Sequence, residues 1–441
     1  MEEMKFEIFG RETIKPSLPT PSHLRSYKLS SLDQLSLAIY GRVVFFYTQN
    51  DVTSSPEQKS QQLKKSLSET LARFYPIAGR INNNITIQCT DDGAPYVEAK
   101  FNGLLSTFLE QRDDPAVIDQ FFPAAIQSPE ASTWPVLQVQ ATFFDCGGLA
   151  VGVCLSHKVC DARSMSVFMK SWVETSKGSA QTVVPVFDAV SYFPPGEQLS
   201  LPLPAPGSNR PGERITKMFV FDKQKIADLK AKTAGDRVRR PSRVEVVTAL
   251  IWKCVMALSR CNTAGVPKKT FFVTQAMDIR NRADPPMPEH SIGNLFTVIP
   301  ALINHDDENE VELADVVAEL RKAIRVFSEN QAKRLRGEGA IQVIFEVVKQ
   351  IIELSTRDDT DGLMVTSLST FKLYEVADFG WGKPTWVNIL PLEDGASKLV
   401  ALMDTRDGGV EAWVTLGKDD MALFERSPEL LQFATQNYSP I

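Results

Sequence analysis

Between residues 194 and 211 the chain carries six prolines, Pro194, Pro195, Pro202, Pro204, Pro206 and Pro211, together with Gly196 and Gly207. Each proline lacks an N–H and fixes its own φ, so neither a strand ladder nor a helix interior tolerates this density. The stretch reads as a long crossover. It divides the 441 residues into two parts, each long enough for its own core. A surface loop within one larger domain is the alternative reading. The expected organisation is an N-terminal domain over 1–190, a linker over 191–215 and a C-terminal domain over 216–441.

In the first part, Leu137, Val139, Ala141 and Phe143 alternate with period two, as do Leu149, Val151, Val153 and Leu155. Asp145-Cys146-Gly147-Gly148 between them is a turn, so the pair reads as a hairpin. His157 stands just past the second strand. Ser164 to Lys177 is helix-like and closed by Gly178. A histidine at the mouth of a strand is well placed as a general base, and Asp161, four residues on, can hold the local backbone in shape. On local pattern alone, a satisfied structural histidine is the plainer reading. Serine hydrolase chemistry lacks its G-x-S-x-G elbow. Zinc is poorly served by four histidines, His23, His157, His290 and His305, with no H-E-x-x-H and no paired C-x-x-C. Cys160 is a conceivable nucleophile, but a bystander thiol is the better reading.

Composition narrows the function further. The chain is 43% apolar and 23% charged, as an ordinary soluble globular protein is. Its net charge of −6 and lack of a basic run argue against nucleic acid as main partner. No apolar stretch is long enough to span a membrane. The acidic Met1 to Lys5 lacks a following apolar region, so a secretory signal is not expected. The six scattered cysteines read as reduced thiols, and the expected location is the cytoplasm.

Val43 to Tyr47 reads as a buried strand. Pro56 to Phe74 reads as a helix with Leu63, Leu67, Leu71 and Phe74 on one face. In the second part, Met218 to Phe221 reads as a strand, followed by a helix over roughly 222–232. Ser242 and Glu245 form a capping box, worth on the order of 1 kcal/mol, ahead of the apolar face Val247, Leu250, Ile251, Cys254 and Leu258. The free N–H groups at such a helix start can hold a phosphate, although most hold nothing. Further helices are expected over 312–335 and 340–354, with strands at Phe271 to Val273, Leu399 to Met403 and Val410 to Val414.

Two signatures together carry a resemblance. His157-Lys158-Val159-Cys160-Asp161 is an H-x-x-x-D motif, and Asp378-Phe379-Gly380-Trp381-Gly382 is a D-F-G-W-G motif. With Phe74 to Arg80, Asp278 to Arg282 and Gly293-Asn294, they resemble the plant BAHD acyl-CoA-dependent acyltransferases over nearly the whole chain. The likeness is nearest to the branch of vinorine synthase and related alkaloid and terpenoid acetyltransferases. It implies an α/β fold of two similar-sized chloramphenicol-acetyltransferase-like domains, with mixed sheets flanked by helices and a solvent channel between them. It implies His157 as catalytic base, and Asp161 paired with Arg280 (Arg282 second) as support of the catalytic loop. Asp378, Gly380, Trp381 and Gly382 would form a structural turn on the CoA side. Ser242, Arg243, Lys253 and Asn294 are carried over as contacts of the cosubstrate or its tunnel.

The departures bear on the acceptor. Many relatives carry Trp-x-Arg after the Thr-Ser, where this chain has Leu368-Ser369-Thr370. A neutral Thr370 cannot grip a carboxylate in the bidentate way an arginine does, so an acidic acceptor is disfavoured. Leu368 and Thr370 are therefore expected at the acceptor pocket. One extra residue also falls within Glu375-Val376-Ala377. The expected activity is acetyl transfer from acetyl-CoA to a hydroxyl of a neutral or basic alkaloid or terpenoid alcohol. The chain is expected to act as a monomer with no permanently bound cofactor or metal. The alternatives are a longer or aromatic acyl donor, an amine acceptor, or a family member that only binds.

Overall fold

The computed structural model of the protein describes residues 6–49, 54–110, 115–124, 133–196, 213–261, 270–304, 311–337, 339–389 and 398–436. In chain order the strands of the first half are β1 (Phe6–Ile14), β2 (Ser26–Lys28), β3 (Tyr40–Tyr47), β4 (Arg80–Asn82), β5 (Thr86–Gln88), β6 (Ala94–Phe101), β7 (Leu137–Phe144) and β8 (Leu149–Ser156). Those of the second half are β9 (Arg214–Phe221), β10 (Thr270–Asp278), β11 (Phe296–Asn304), β12 (Thr360–Ser367), β13 (Trp386–Asn388), β14 (Leu399–Asp404) and β15 (Val410–Gly417). The helices used below are α1 (Ser31–Leu35), α2 (Pro56–Arg73), α3 (Leu105–Glu110), α4 (Pro115–Asp119), α5 (Ala162–Ser176), α6 (Ala189–Tyr192), α7 (Lys223–Thr233), α8 (Arg243–Cys261), α9 (Leu313–Gln331) and α10 (Ala340–Thr356).

Two six-stranded sheets dominate, ordered β1-β6-β7-β8-β3-β13 and β11-β10-β12-β14-β15-β9, beside a small sheet β2-β5-β4. Both large sheets are mixed. β6 runs parallel to β7, and β12 runs parallel to both β10 and β14. The hairpin β7–β8 sits in the first sheet with every residue of both strands buried. The alternation in β7 therefore does not mark a wet face. Its polar positions are satisfied internally: Gln138 Nε2 donates to the Tyr40 hydroxyl at 3.0 Å, and Gln140 Nε2 donates to Gln120 O at 2.8 Å.

The linear division of the chain needs one correction. β13 belongs by sequence to the second half, yet it pairs with β3 of the first sheet, Trp386 opposite Phe46 and Asn388 opposite Val44. The Trp386 ring stacks on Phe46 at 5.2 Å, and the Tyr47 hydroxyl donates to Ala377 O at 2.7 Å. Leu373, Tyr374, Phe379, Trp381 and Val387 are buried in the same core as β3 and α2. The expected domain over 216–441 thus lends a strand to its neighbour. Most of the expected linker, residues 197–212, lies outside the described residues.

The second sheet has two distinct faces. On the outer face, Phe219, Val273, Val365, Leu402 and Val414 pack against α8 and α9 through Val247, Leu250, Val316 and Leu320. On the inner face, Met218, Val220, Ala401, Met403 and Trp413 pack onto the core of the first half. The Ser242–Glu245 capping box ahead of α8 forms as expected. Glu245 N donates to Ser242 Oγ at 3.2 Å, and Ser242 N donates to Glu245 Oε2 at 2.6 Å.

Candidate active site

β8 ends at Ser156, and the chain turns there into α5. His157 N donates to Ile39 O at 2.8 Å, which ties the turn to the residue before β3. The His157 ring is 5.8 Å from the Phe296 ring at the start of β11, so the histidine stands where the two halves face each other.

Its tautomer follows from its neighbours. Asn294 Nδ2 donates to Asp33 Oδ1 at 2.9 Å and to His157 O at 2.7 Å, so both amide protons are used. Asn294 Oδ1 is left to accept, and it lies 3.0 Å from His157 Nδ1. The ring proton therefore sits on Nδ1, and the Nε2 lone pair is free to act as a base. The Asp33 carboxylate behind Asn294 is fully enclosed. It accepts from Ser30 N (3.0 Å), Ser30 Oγ (2.6 Å), Asn294 N (2.8 Å) and Asn294 Nδ2. Burial raises its pKa, and these hydrogen bonds oppose that rise.

Asn294 was expected beside the cosubstrate. It is 1% exposed and its side chain is spent on Asp33 and His157, so it orients the histidine instead. Replacing Asn294 with alanine removes one orienting hydrogen bond. Turnover is expected to fall by roughly 10–100-fold, with the KM values of both substrates little changed. Steady-state kinetics with each substrate varied in turn checks this.

Asp161 is buried and turned to backbone and to Arg280. It caps α5, accepting from Ser164 N at 2.8 Å, and it accepts from Leu295 N at 3.1 Å. Arg280 meets it in bidentate fashion, Nη1 to Oδ2 at 2.8 Å and Nη2 to Oδ1 at 3.1 Å. Arg280 also donates to Ser291 O, Gly293 O, Ser164 Oγ and Asp278 Oδ1. Burial works against its charge, yet Asp161 and Asp278 outweigh that and raise its pKa. Arg282 donates to Ser328 Oγ instead, so the pair is Asp161 with Arg280. Gly293, which presents its carbonyl to Arg280, has φ +144°, and a Cβ there would stand 3.0 Å from the Ala189 Cβ.

Lys158, next to the histidine, is buried beneath α1. Its ammonium donates to Gln34 O at 2.8 Å and Ser36 O at 2.7 Å, at the carbonyl end of that helix. Burial pushes its pKa down to about 8 from 10.5, with Asp33 opposing the shift. Between those two values the unfolded chain holds more protons than the folded one, so this lysine makes stability rise with pH across that window. The wild type is expected to gain about 2 kcal/mol relative to Lys158→Met between pH 8 and pH 10, from the size of the shift. Urea unfolding of both proteins at each pH checks this, and parallel curves would contradict it. Cys160 is likewise buried, and burial raises its thiol pKa well above the ordinary value, so it offers no thiolate.

The residues expected at the cosubstrate are spread along α8. Ser242 is exposed at the start of α8, and Arg243 beside it donates to Asp404 Oδ1 at 3.1 Å and Gly408 O at 2.8 Å. Lys253 lies eleven residues further on, roughly 16 Å along the helix, and pairs with Glu429 at 3.0 Å. A cosubstrate that met all three would have to extend along this length of α8.

The second signature is a tight turn. Asp378 Oδ1 accepts from Gly380 N and Gly382 N, each at 3.0 Å, and both glycines have positive φ. Phe379 stacks on Trp381 and meets the Trp172 ring edge-on. The turn thereby docks the chain against α5 just before β13. Leu368 is half-buried, and Thr370 is exposed on a short 3₁₀ turn over Ser369–Phe371. Glu375 and Val376 end a short helix, Leu373–Val376. Asp33 was missed as a site residue. Its Ser30-x-x-Asp33 cap is legible in sequence, but its contact with a residue 261 positions away is not.

The site is a histidine at the meeting of two mixed sheets, one ring nitrogen held by Asn294. The comparisons supply the class. The family profile described as "Transferase family" matches residues 4–431. Vinorine synthase of Rauvolfia serpentina is 35% identical, with 99% of each chain covered. Limonoid 7-O-acetyltransferase of Citrus sinensis is 35% identical over 99% of this chain and 100% of its own length. A BAHD acyltransferase of Arabidopsis thaliana is 37% identical over 99% of each chain. The crystal structure of vinorine synthase superposes with a TM-score of 0.83, at 34% identity, covering 99% of this chain and all of that one. The chain belongs to the BAHD acyltransferase family.

Proposed function

We propose that this acyltransferase moves acetyl from acetyl-CoA to a hydroxyl of a neutral or basic alkaloid or terpenoid alcohol, with His157 as general base. The observation that carries the reading is the Asn294 carboxamide, whose two donors are committed elsewhere and whose oxygen faces His157 Nδ1. An alcohol is a weak nucleophile at neutral pH, and imidazole, with an ordinary pKa of about 6.5, suits its activation. Nε2 takes the hydroxyl proton as the alkoxide oxygen attacks the thioester carbonyl. The C–S bond of the resulting tetrahedral intermediate then breaks, and the imidazolium returns the proton to the departing CoA sulfur. Both substrates are bound together and no acyl-enzyme forms. The Asn294 oxygen accepts from Nδ1 throughout and holds the cation that forms.

Asp161 and Arg280 hold the histidine loop. Ser242 and Arg243, at an exposed helix start, suit a phosphate of CoA. The choice of acetyl, and of an alkaloid or terpenoid acceptor, is supported by relatives named for acetylation of stemmadenine and of limonoids. We place the enzyme in the cytoplasm as a monomer. The test is incubation with labelled acetyl-CoA and a pooled panel of alkaloid, terpenoid and phenolic alcohols, read by mass spectrometry. A labelled ester is expected. Hydrolysis or inertness across the panel, with a longer acyl-CoA consumed instead, would shift the donor.

A further inference from the structure

The inner face of the second sheet is covered unevenly. Strand pairing puts Phe296, Val298 and Pro300 of β11, Thr274, Ala276 and Asp278 of β10, Met364 and Thr366 of β12, and Ala401 and Met403 of β14 on this one face. Its β14–β15–β9 half is sealed against the first core, with Ala401 and Trp413 at most 1% exposed. The β11–β10–β12 half is not. Ala276 is exposed, and Met364 is 41% exposed although it lies within a central strand of a six-stranded sheet. Their outer-face neighbours, Met277 beside Ala276 and Val365 beside Met364, are sealed under the helices. An uncovered apolar patch at the middle of a sheet, within the fold, is a floor for something.

This floor begins at the histidine. Phe296, 5.8 Å from the His157 ring, leads along β11 to Val298, and Val298 stands opposite Ala276. It closes where Thr274 and Pro300 are buried, four residues beyond Phe296 and so roughly 13 Å away. None of Phe296, Val298, Ala276, Met364 and Thr366 is charged. Asp278, at the near end, is engaged by Arg280 and Arg163.

We propose that the acceptor's skeleton lies on this floor, over Ala276, Val298 and Met364, and that the acceptor is accordingly a polycyclic, largely apolar alcohol. The proposal rests on the transferase reading above and names its acceptor class. A single ring would leave most of the floor wet, and a carboxylate would lie on it without a partner. Ala276, with the smallest side chain, gives the depth. Met364 gives a deformable far contact that fits irregular ring edges.

The test is equilibrium binding, in the presence of CoA, of two polycyclic alcohols, testosterone and yohimbine, against benzyl alcohol. The proteins are wild type, Ala276→Trp and Met364→Ala, each checked by thermal unfolding. Wild type is expected to bind at least one polycyclic probe more tightly than benzyl alcohol. Ala276→Trp is expected to weaken that binding about tenfold, as loss of roughly 55 Å² of apolar contact would. Met364→Ala, which removes bulk rather than adding it, is expected to weaken it about threefold by loss of contact. Benzyl alcohol and CoA affinities are expected to stay within about twofold, the scale of a change outside their contacts. Polycyclic probes bound no better than benzyl alcohol, or bound equally by wild type and both variants, would overturn the proposal. Binding that follows the expected pattern without any acetyl transfer would leave the floor standing and remove the acetyltransferase reading.

Discussion

Replacement of His157 by alanine is expected to cut turnover by roughly 10²–10⁴-fold, the usual scale for loss of a general base. Thermal unfolding should be little changed. The ring is half-buried, its side chain bonds Asn294 Oδ1, and the backbone bond from His157 N to Ile39 O survives the substitution. Among the described residues, the titratable neighbours on the same loop cannot substitute for the base. Burial raises the Cys160 thiol pKa, Lys158 is spent on the carbonyls of α1, and Asp161 is held by Arg280. Near-normal turnover by the variant, with its fold intact, would remove His157 from the chemistry.

The second large effect is expected at Asp161. Its substitution by asparagine preserves the cap on α5, because asparagine caps as well as aspartate does. What is lost is the negative charge opposite Arg280, whose side chain is 2% exposed. Breaking a buried pair by neutralising one partner typically costs ~3 kcal/mol, since the other charge stays buried. Asp278 and the carbonyls of Ser291 and Gly293 still surround Arg280 and soften the loss. The melting temperature and the activity of Asp161→Asn should therefore fall together. A variant that stays fully stable yet inactive would assign Asp161 a direct chemical role.

Much of this was legible in the chain itself, and the rest was hidden for identifiable reasons. The hairpin ahead of His157, the capping box at Ser242 and the apolar stripes of α8 and α9 are local patterns, and local patterns survive into the fold. The two signatures identified the family, and with it the pairing of Asp161 with Arg280. Pairing across long sequence distances left no such trace. Nothing in Trp386-Val387-Asn388 says that this strand joins β3 instead of its own half. That choice is made by the stacking of Trp386 on Phe46 and the docking of Phe379 and Trp381 against α5 and Tyr47.

Asn294 stands out by its place in the chain, but its neighbours are Asp33 and His157. Its position behind the histidine depends on Asp33, which a local reading sees only as a helix cap. Lys253 comes from the family resemblance together with Ser242 and Arg243, and α8 sets it about three turns further along the helix. The acceptor side was sought at Leu368 and Thr370, where the family pattern departs. The open floor at Ala276 and Met364 could be found only once strand register showed which face each residue occupies.

The central claim is that the resting His157 ring carries its proton on Nδ1 and turns a bare Nε2 to the cleft. The most direct measurement is nitrogen-15 NMR of the protein labelled in histidine, at a pH where the ring is uncharged. The chain has four histidines, so His157→Ala identifies the His157 signals by difference. The expected result is a protonated Nδ1 that is perturbed in Asn294→Ala, and an unprotonated Nε2. An unprotonated Nδ1 with the proton on Nε2 would contradict the account, because the base would then face Asn294 and not the substrate.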